Sequence, residues 1–389
     1  MRKTWIAALV ALTCASCGGS ATHPLPAAPS STPVLLFLGG GRPPNLHVSE
    51  LPANGGTAVR TITAGIEAPQ RFAIDPKGTL YVVNRTAAST LDVAEYDAGT
   101  TSVARTLSKD IGEPGSVTTD AAGNFYYVNA AKPLVSFAHG STMPSYAVDK
   151  GLCGDVVFPP NVTADAAGNA YVLDLCGKRG EAAKAFIREY GPSGSLVRSV
   201  QLPAGEIPTF LVAGASGRLY LQFFGIVHRA AAMGIAEYDP GAPMPSRTFF
   251  FGPQTSKKLQ FVGGYTPVVN DLTGELITNF SECQQLGCRA DVYVFDPGAA
   301  TPKLTIALPG DALIGPPHPA ADGKLYLEIG EVAKRIESIR AYPHGTTQWK
   351  AILSGRNIGG LLFVWPNASA GPAKAASADP TADYRFVSP

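Results

Sequence analysis

A ten-residue unit recurs along this chain at a near-constant interval. Ala73-Ile74-Asp75-Pro76-Lys77-Gly78-Thr79-Leu80-Tyr81-Val82 matches Thr118-Thr119-Asp120-Ala121-Ala122-Gly123-Asn124-Phe125-Tyr126-Tyr127, and again Thr163-Ala164-Asp165-Ala166-Ala167-Gly168-Asn169-Ala170-Tyr171-Val172. Weaker copies centre on Gly217 with Tyr220, Gly274 with Ile277 and Gly323 with Tyr326, and successive glycines lie 45, 45, 49, 57 and 49 residues apart. A unit of this size cannot bury an apolar face alone, so copies must stack on one another. The residue types say what the unit is. Asp at the first position of a type I turn accepts bonds from the backbone ahead, Pro suits the second position and Gly the fourth. Asp75-Pro76-Lys77-Gly78 satisfies all three, so each unit is expected to be a hairpin, with the aromatic residue three after the Gly packing between units. Calcium is a poor fit to these turns: each supplies one carboxylate, and the ion wants six to eight oxygens.

A second module follows each turn: an alternating strand ending in an aromatic, with Gly three residues later. Its copies end at Tyr96/Gly99, Phe137/Gly140, Tyr238/Gly241, Phe295/Gly298 and Tyr342/Gly345, with Tyr190 in a longer version. A short outer strand comes next, as in Arg105-Thr106-Leu107 and Arg247-Thr248-Phe249. Residues 46–51 with Arg60-Thr61-Ile62 supply a seventh copy of this half, preceded by a strand at 35–38, although only six hairpin turns exist. The lone apolar segment Ile358-Gly359-Gly360-Leu361-Leu362-Phe363-Val364 supplies the missing strand. The expectation is therefore all-β: a β-propeller of seven four-stranded blades, about 47 residues each, closed by N-terminal strands and a C-terminal strand sharing one blade. Closure of this kind removes unpaired strand edges. Six blades with an extra hairpin is the alternative.

The N-terminus speaks to compartment. Arg2-Lys3 precede an apolar run from about Trp5 to Ala15, the pattern of a secretory signal and too short to span a bilayer. The stretch Leu12-Thr13-Cys14-Ala15-Ser16-Cys17-Gly18-Gly19 resembles a bacterial lipobox, in which the Cys after small residues is lipidated and becomes the new N-terminus. That resemblance implies lipidation at Cys17 and export, with anchoring to a bacterial membrane facing the periplasm or the cell surface. It departs from the pattern at Cys14, where Leu is usual, and cleavage before Cys14 or an ordinary secretory signal are the alternatives. The expected organisation is a signal peptide over 1–16, lipidated Cys and Ala/Pro/Ser/Thr-rich tether over 17–33, propeller over 34–365 and a low-complexity tail over 366–389. The formal charge is +1 and falls to about −1 once Arg2 and Lys3 are removed, and no basic stripe argues for nucleic acid. A monomer is expected.

The repeat, reading roughly Asp-x-x-Gly-Asn-x-Tyr-Val and then Val-x-x-Tyr-x-x-Gly, resembles that of NHL-type propellers, specifically exported bacterial ones, over nearly the whole mature chain. The family includes ligand binders, interaction scaffolds and a few enzymes, so the resemblance speaks to fold far more than to activity.

Function is expected at the rim formed by the loops after each second strand and those leading into the next blade. Long excursions at residues 175–184, 224–233 and 281–290, and long connections at 149–160 and 251–266, fall on that face. Neutral loop drift is the alternative. Cys153 with Cys176, and Cys283 with Cys288, are expected to form disulfides, since four Cys in an exported chain staple more often than they coordinate. His228 and Arg229 sit together in one excursion, and Asn84, Asn129, Asp174, Asn279 and Glu328 close the second strands. His139 and His344 lie in the aromatic-x-x-Gly turns, where a polar surface role is expected. No catalytic motif is present, no two histidines show metal-ligand spacing, and no cofactor is expected. The leading expectation is a tethered extracytoplasmic module that recognises a protein or small molecule, or serves as a scaffold. Propeller lactonases, which the repeat also resembles, hold a divalent metal at the channel. The alternative is therefore a metal-dependent hydrolase or lyase using Asp174, Glu328 and neighbouring amides.

Overall fold

The structure, a computed structural model, describes residues 34–365 apart from 41–45, 87, 89, 113, 130–133, 149–160, 177–183, 204–205, 215, 228–229, 256–260, 271, 285–286, 332–335 and 356–360. Among the described residues every regular element is a strand, and the strands form seven antiparallel sheets. Blade 2 shows the plan. Pro69–Ile74 is innermost, followed outward by Leu80–Arg85, Leu91–Tyr96 and Arg105–Leu107. Blades 3, 4 and 5 repeat it, starting from Pro114–Thr119, Asn161–Ala164 and Ile207–Ala213. In blades 6 and 7 the inner strand comes in two pieces, Phe261–Gly263 with Val268–Asn270 and Ala312–Leu313 with His318–Pro319. Each inner strand touches the inner strand of the next blade, so they converge on a central channel.

Blade 1 closes the ring. Leu35–Gly40, His47–Pro52 and Arg60–Ile62 come from the N-terminal side, and Leu361–Trp365 completes the sheet as its inner strand. Leu36 pairs with Val364 and Leu38 with Leu362. The seven blades and shared first blade are those expected from the repeats. The closing strand begins at Leu361, and residues 356–360 ahead of it lie outside the described set.

The recurrent turn does two jobs. Asp120 Oδ1 accepts the backbone N–H groups of Ala122 (2.9 Å) and Asn124 (2.9 Å), which holds the turn. Its Oδ2 accepts the Tyr126 hydroxyl (2.8 Å), and that hydroxyl also reaches the Gly168 carbonyl in the next blade (3.1 Å). Tyr81 bonds the Gly123 carbonyl in the same way (3.2 Å). Burial first and Asp120 second push the Tyr126 phenol well above its ordinary pKa, so it stays a donor. Gly123 needs its positive φ of 87°, and a Cβ there would come within 2.7 Å of the Asp75 carboxylate of blade 2. Inner strands are cross-linked too. Thr119 donates to the Ile74 carbonyl (3.1 Å), and Asn161 and Thr163 accept the Leu211 and Ala213 N–H groups (3.0 and 3.1 Å).

A third device, not anticipated from the sequence, ties the outer half of the blades. Glu50, Glu95, Glu189 and Glu237 stand on third strands and pair with Arg60, Arg105, Arg198 and Arg247 on the outer strands. Arg60 and Arg198 extend further, to the Thr100 and Ala242 carbonyls in the following blades.

Asp120→Ala, which removes the acceptor of both backbone N–H groups and of the Tyr126 hydroxyl, should lower the urea-unfolding free energy by about 3 kcal/mol, and Tyr126→Phe, which removes one of those bonds, by about 1.5 kcal/mol. A chain ending at Gly355 loses the inner strand of blade 1 and exposes the edge of Leu35–Gly40. It should elute from a sizing column as aggregate, and the full chain should elute at the monomer volume.

Candidate functional site

The 1–2 and 3–4 turns of every blade share one face, and the second-to-third-strand hairpins share the opposite rim. That rim is uneven. In blade 2 the second and third strands pair from Leu80↔Tyr96 to Arg85↔Leu91. In blade 5 they run from Leu219↔Tyr238 to Val227↔Ala230, in blade 6 from Leu276↔Phe295 to Gln284↔Gly287, and in blade 7 from Lys324↔Pro343 to Glu331↔Ile336. Counted from the turn glycine, the second strand ends seven residues on in blade 2 (Arg85), eight on in blades 4 and 7 (Cys176, Glu331) and ten on in blades 5 and 6 (Val227, Gln284). A wall about 10 Å high thus rises over two adjacent blades, 5 and 6. The excursions expected at 224–233 and 281–290 are therefore continuous β-hairpins, flanked by outer strands that also lengthen, as Ala231↔Thr255 and Arg289↔Pro309 show. Their residues pair because a strand already in register continues at little extra entropic cost. Of residues 175–184, Leu175 and Cys176 pair with Ala185 and Lys184, and 177–183 lie outside the described residues.

The five polar residues at the ends of second strands are buried and do not form one constellation. Asn84, Asn129 and Asp174 each lie six residues after their turn glycines, whereas Asn279 and Glu328 lie five after theirs. Side chains alternate along a strand, so the two groups project from opposite blade faces. Asn84 donates to the Gly65 carbonyl (2.8 Å) and Asn129 to that of Asp110 (3.4 Å), tying the connection from the preceding blade. Asp174 accepts from Arg188 Nε at 2.9 Å. Burial raises the Asp174 pKa and the Arg188 charge partly offsets it.

Asn279 spends its amide on the inner-strand break of its own blade, accepting the Tyr265 N–H (2.7 Å) and donating to the Tyr265 carbonyl (3.3 Å). Glu328 lies under Gly315, where a Cβ would come within 3.0 Å of its carboxylate. Gln222, the blade 5 counterpart that the sequence reading passed over, lies under Gly264, where a Cβ would come within 2.7 Å of its amide nitrogen. The signal was available in the spacing: polar residues move from the sixth to the fifth position after the glycine between blades 4 and 5. Among the described residues no group of three His, Cys, Asp or Glu side chains is placed to hold a metal.

His228, Arg229 and Cys153 lie outside the described residues. Cys176 is buried and disulfide-bonded, and its partner is not among the side chains described. Cys283 and Cys288 stand directly opposite each other in the blade 6 hairpin. Elsewhere on the rim, Arg340 binds Glu331 and Asp311 (both 3.0 Å). Burial raises the carboxyls of Asp92 and Glu206, with Glu67 adding to the effect at Asp92.

The turn face holds paired histidines. His139 faces Asp75 of blade 2 at 3.3 Å, and His344 Nε2 lies 2.9 and 3.2 Å from the two oxygens of Glu275 in blade 6. Glu275 also pairs with Lys303 and borders a crevice of about 30 Å³ between blades 6 and 7, room for a single water. Both histidines thus bridge a seam between blades, a more specific placement than a surface position.

No protein-family model matches the sequence, and no curated protein matches it. Solved structures do. A protein from Lactobacillus plantarum superposes with a TM-score of 0.58 at 14% identity, over 85% of this chain and 98% of that one. A functionally unknown protein from Desulfotomaculum acetoxidans gives 0.53 at 11%, over the same shares. The Dos1 propeller gives 0.48 at 9%, over 76% of this chain and 72% of that one. The likeness is one of fold.

Two buried groups set the acid response. Burial opposes ionisation of Glu275, but hydrogen bonds from Lys303, His344 and Thr273 prevail and hold its pKa below 4.5. The stability it contributes is full above pH 4.5 and is lost as pH falls through the lowered value. Burial drops His318 from 6.5 to about 3, so stability is full above pH 6.5 and declines as pH falls toward about 3. The decline is roughly 1.4 kcal/mol per pH unit in that window. Urea unfolding from pH 7 to 4 should show a shallower slope for His318→Gln than for the parent, and Glu275→Gln should flatten the profile only below about pH 4.5.

Proposed function

We propose that this chain is a membrane-tethered extracytoplasmic propeller that recognises a protein or small ligand at the wall formed by blades 5 and 6. The wall carries the reading. Two neighbouring hairpins rise from one rim, and the flanking strands that lengthen with them brace their backbones, which lowers the entropy lost on binding. Disulfides fit this role. Residues directly opposite in an antiparallel ladder have Cα atoms about 4.5–5.5 Å apart, within disulfide range, so Cys283 and Cys288 would clamp the blade 6 hairpin. Cys176 paired with Cys153 would fasten the blade 4 rim to the connection ahead of it. The basic-then-apolar N-terminus and the lipobox-like stretch ending at Cys17 support the placement outside the cytoplasm.

Two experiments test the reading. Photo-crosslinking residues placed at Ala231 and Arg289 on the wall, and at Asp92 on the low rim, should give discrete adducts in intact cells from the wall positions only. Adducts absent from both wall positions would sink the recognition role. Cys17→Ser should move the protein from the membrane fraction to the soluble extracytoplasmic fraction, and an unchanged distribution would remove the lipid tether.

A further inference from the structure

We propose that the turn face of the propeller lies on the membrane surface and inserts a ring of apolar side chains into its interfacial layer. The inference rests on the tether reading only for how the face is brought there.

Both ends of the described chain leave the ring at this face. Leu35 opens its strand opposite Pro52 and Trp365, at the level of the turns. Residues 17–33, as a flexible tether, have a root-mean-square reach of about 20–25 Å. A lipid at Cys17 therefore brings the turn face toward the bilayer and leaves the wall of blades 5 and 6 pointing away, open to a partner.

The same face carries the exposed apolar side chains such a contact needs. Val59, Met143, Val197, Met244 and Trp349 are 61%, 54%, 58%, 68% and 48% exposed. Each follows the glycine of the 3–4 turn by three or four residues: in blades 1, 3, 5 and 7 it precedes the outer strand, and in blade 4 Val197 is that strand's second residue. Single exposed apolar residues are ordinary on any surface. Five at one level around the perimeter of a disc are different, because only a flat partner meets them all at once. Trp349 packs on the Arg340 guanidinium (4.2 Å), a cation–π contact that orders its ring while leaving it half exposed. Charge does not drive the contact. Arg218 pairs with Asp239, and Lys303 with Asp296 and Glu275, so the face is locally balanced and apolar insertion supplies the attraction.

The test uses residues 18–389, which contain every strand of the closed ring and lack both signal and lipid, with vesicles of phosphatidylethanolamine and phosphatidylglycerol in equal parts. Co-flotation should show binding that falls at least tenfold in the combined variant Val59→Ser, Met143→Ser, Val197→Ser, Met244→Ser and Trp349→Ser. Binding should change less than about twofold with added NaCl. Ile207→Ser, an exposed apolar residue at the opposite rim, should leave it unchanged. With Trp365→Phe, emission from Trp349 should be quenched by lipids brominated near the headgroup. Absence of vesicle binding by the parent would overturn the proposal and point to a protein surface instead. Equal binding by a folded combined variant, or unquenched Trp349 in bound protein, would overturn it as well. The tether is checked separately by the mass of the Cys17 peptide from membranes: an unmodified Cys17 alongside intact vesicle binding removes the tether and leaves the surface contact standing.

Discussion

The carboxylate at the head of the turn in blades 2, 3 and 4, from Asp75, Asp120 and Asp165, is the interaction on which the most regular part of the ring depends. One Asp120 oxygen gathers two backbone N–H groups and fixes the hairpin, and the other takes the hydroxyl of Tyr126. Because that hydroxyl also reaches the glycine carbonyl of the following blade, the local turn and the angle between blades are set by one group. This also accounts for the calcium-poor look of these turns: the Asp120 oxygens are committed to their own chain. A blade in this fold is a sheet of four short strands with two faces to bury, and it is stable only when its neighbours hold it at that angle.

Two further sets of bonds extend the same logic outward and inward. Glu–Arg pairs join third strands to outer strands in blades 1, 2, 4 and 5, and Ser, Thr and Asn on inner strands bond across to neighbouring inner strands. The polar groups near the channel are thus largely structural, which explains why so many can be buried in an all-β ring. Blades 6 and 7 treat the channel differently. Their split inner strands bring Gly264 and Gly315 down onto Gln222 and Glu328, and Asn279 stands in for the missing ladder partner of Tyr265.

The resulting molecule has two unlike faces. One rim carries a β-paired wall over two blades and the carboxylates that burial makes harder to ionise. The other carries both ends of the described chain, the two histidine bridges and the exposed apolar side chains beside the 3–4 turns. The proposed tether at one face and the raised wall at the other are mutually consistent: a face held near a surface is the one least available to a large partner.

The sequence by itself determined the architecture. Glycine spacing, the Asp-x-x-Gly turn chemistry and the orphan C-terminal strand together pointed to seven blades with a shared first one, each a local constraint repeated along the chain, and the strand pairing of blade 1 decided against six. The Glu–Arg clasps were legible too, at Glu50/Arg60, Glu95/Arg105 and Glu237/Arg247, each ten residues apart, but a spacing shows no pairing until a register is known. What only the tertiary structure decided is which polar residues meet. Asn84 and Asn279 look equivalent as the last polar residues of second strands. A difference of one position puts them on opposite faces of their blades, because side chains alternate along a strand. The extent of the wall was likewise a tertiary matter, since residues 224–233 read as a loop until the lengthened neighbours of blade 5 gave them partners to pair with.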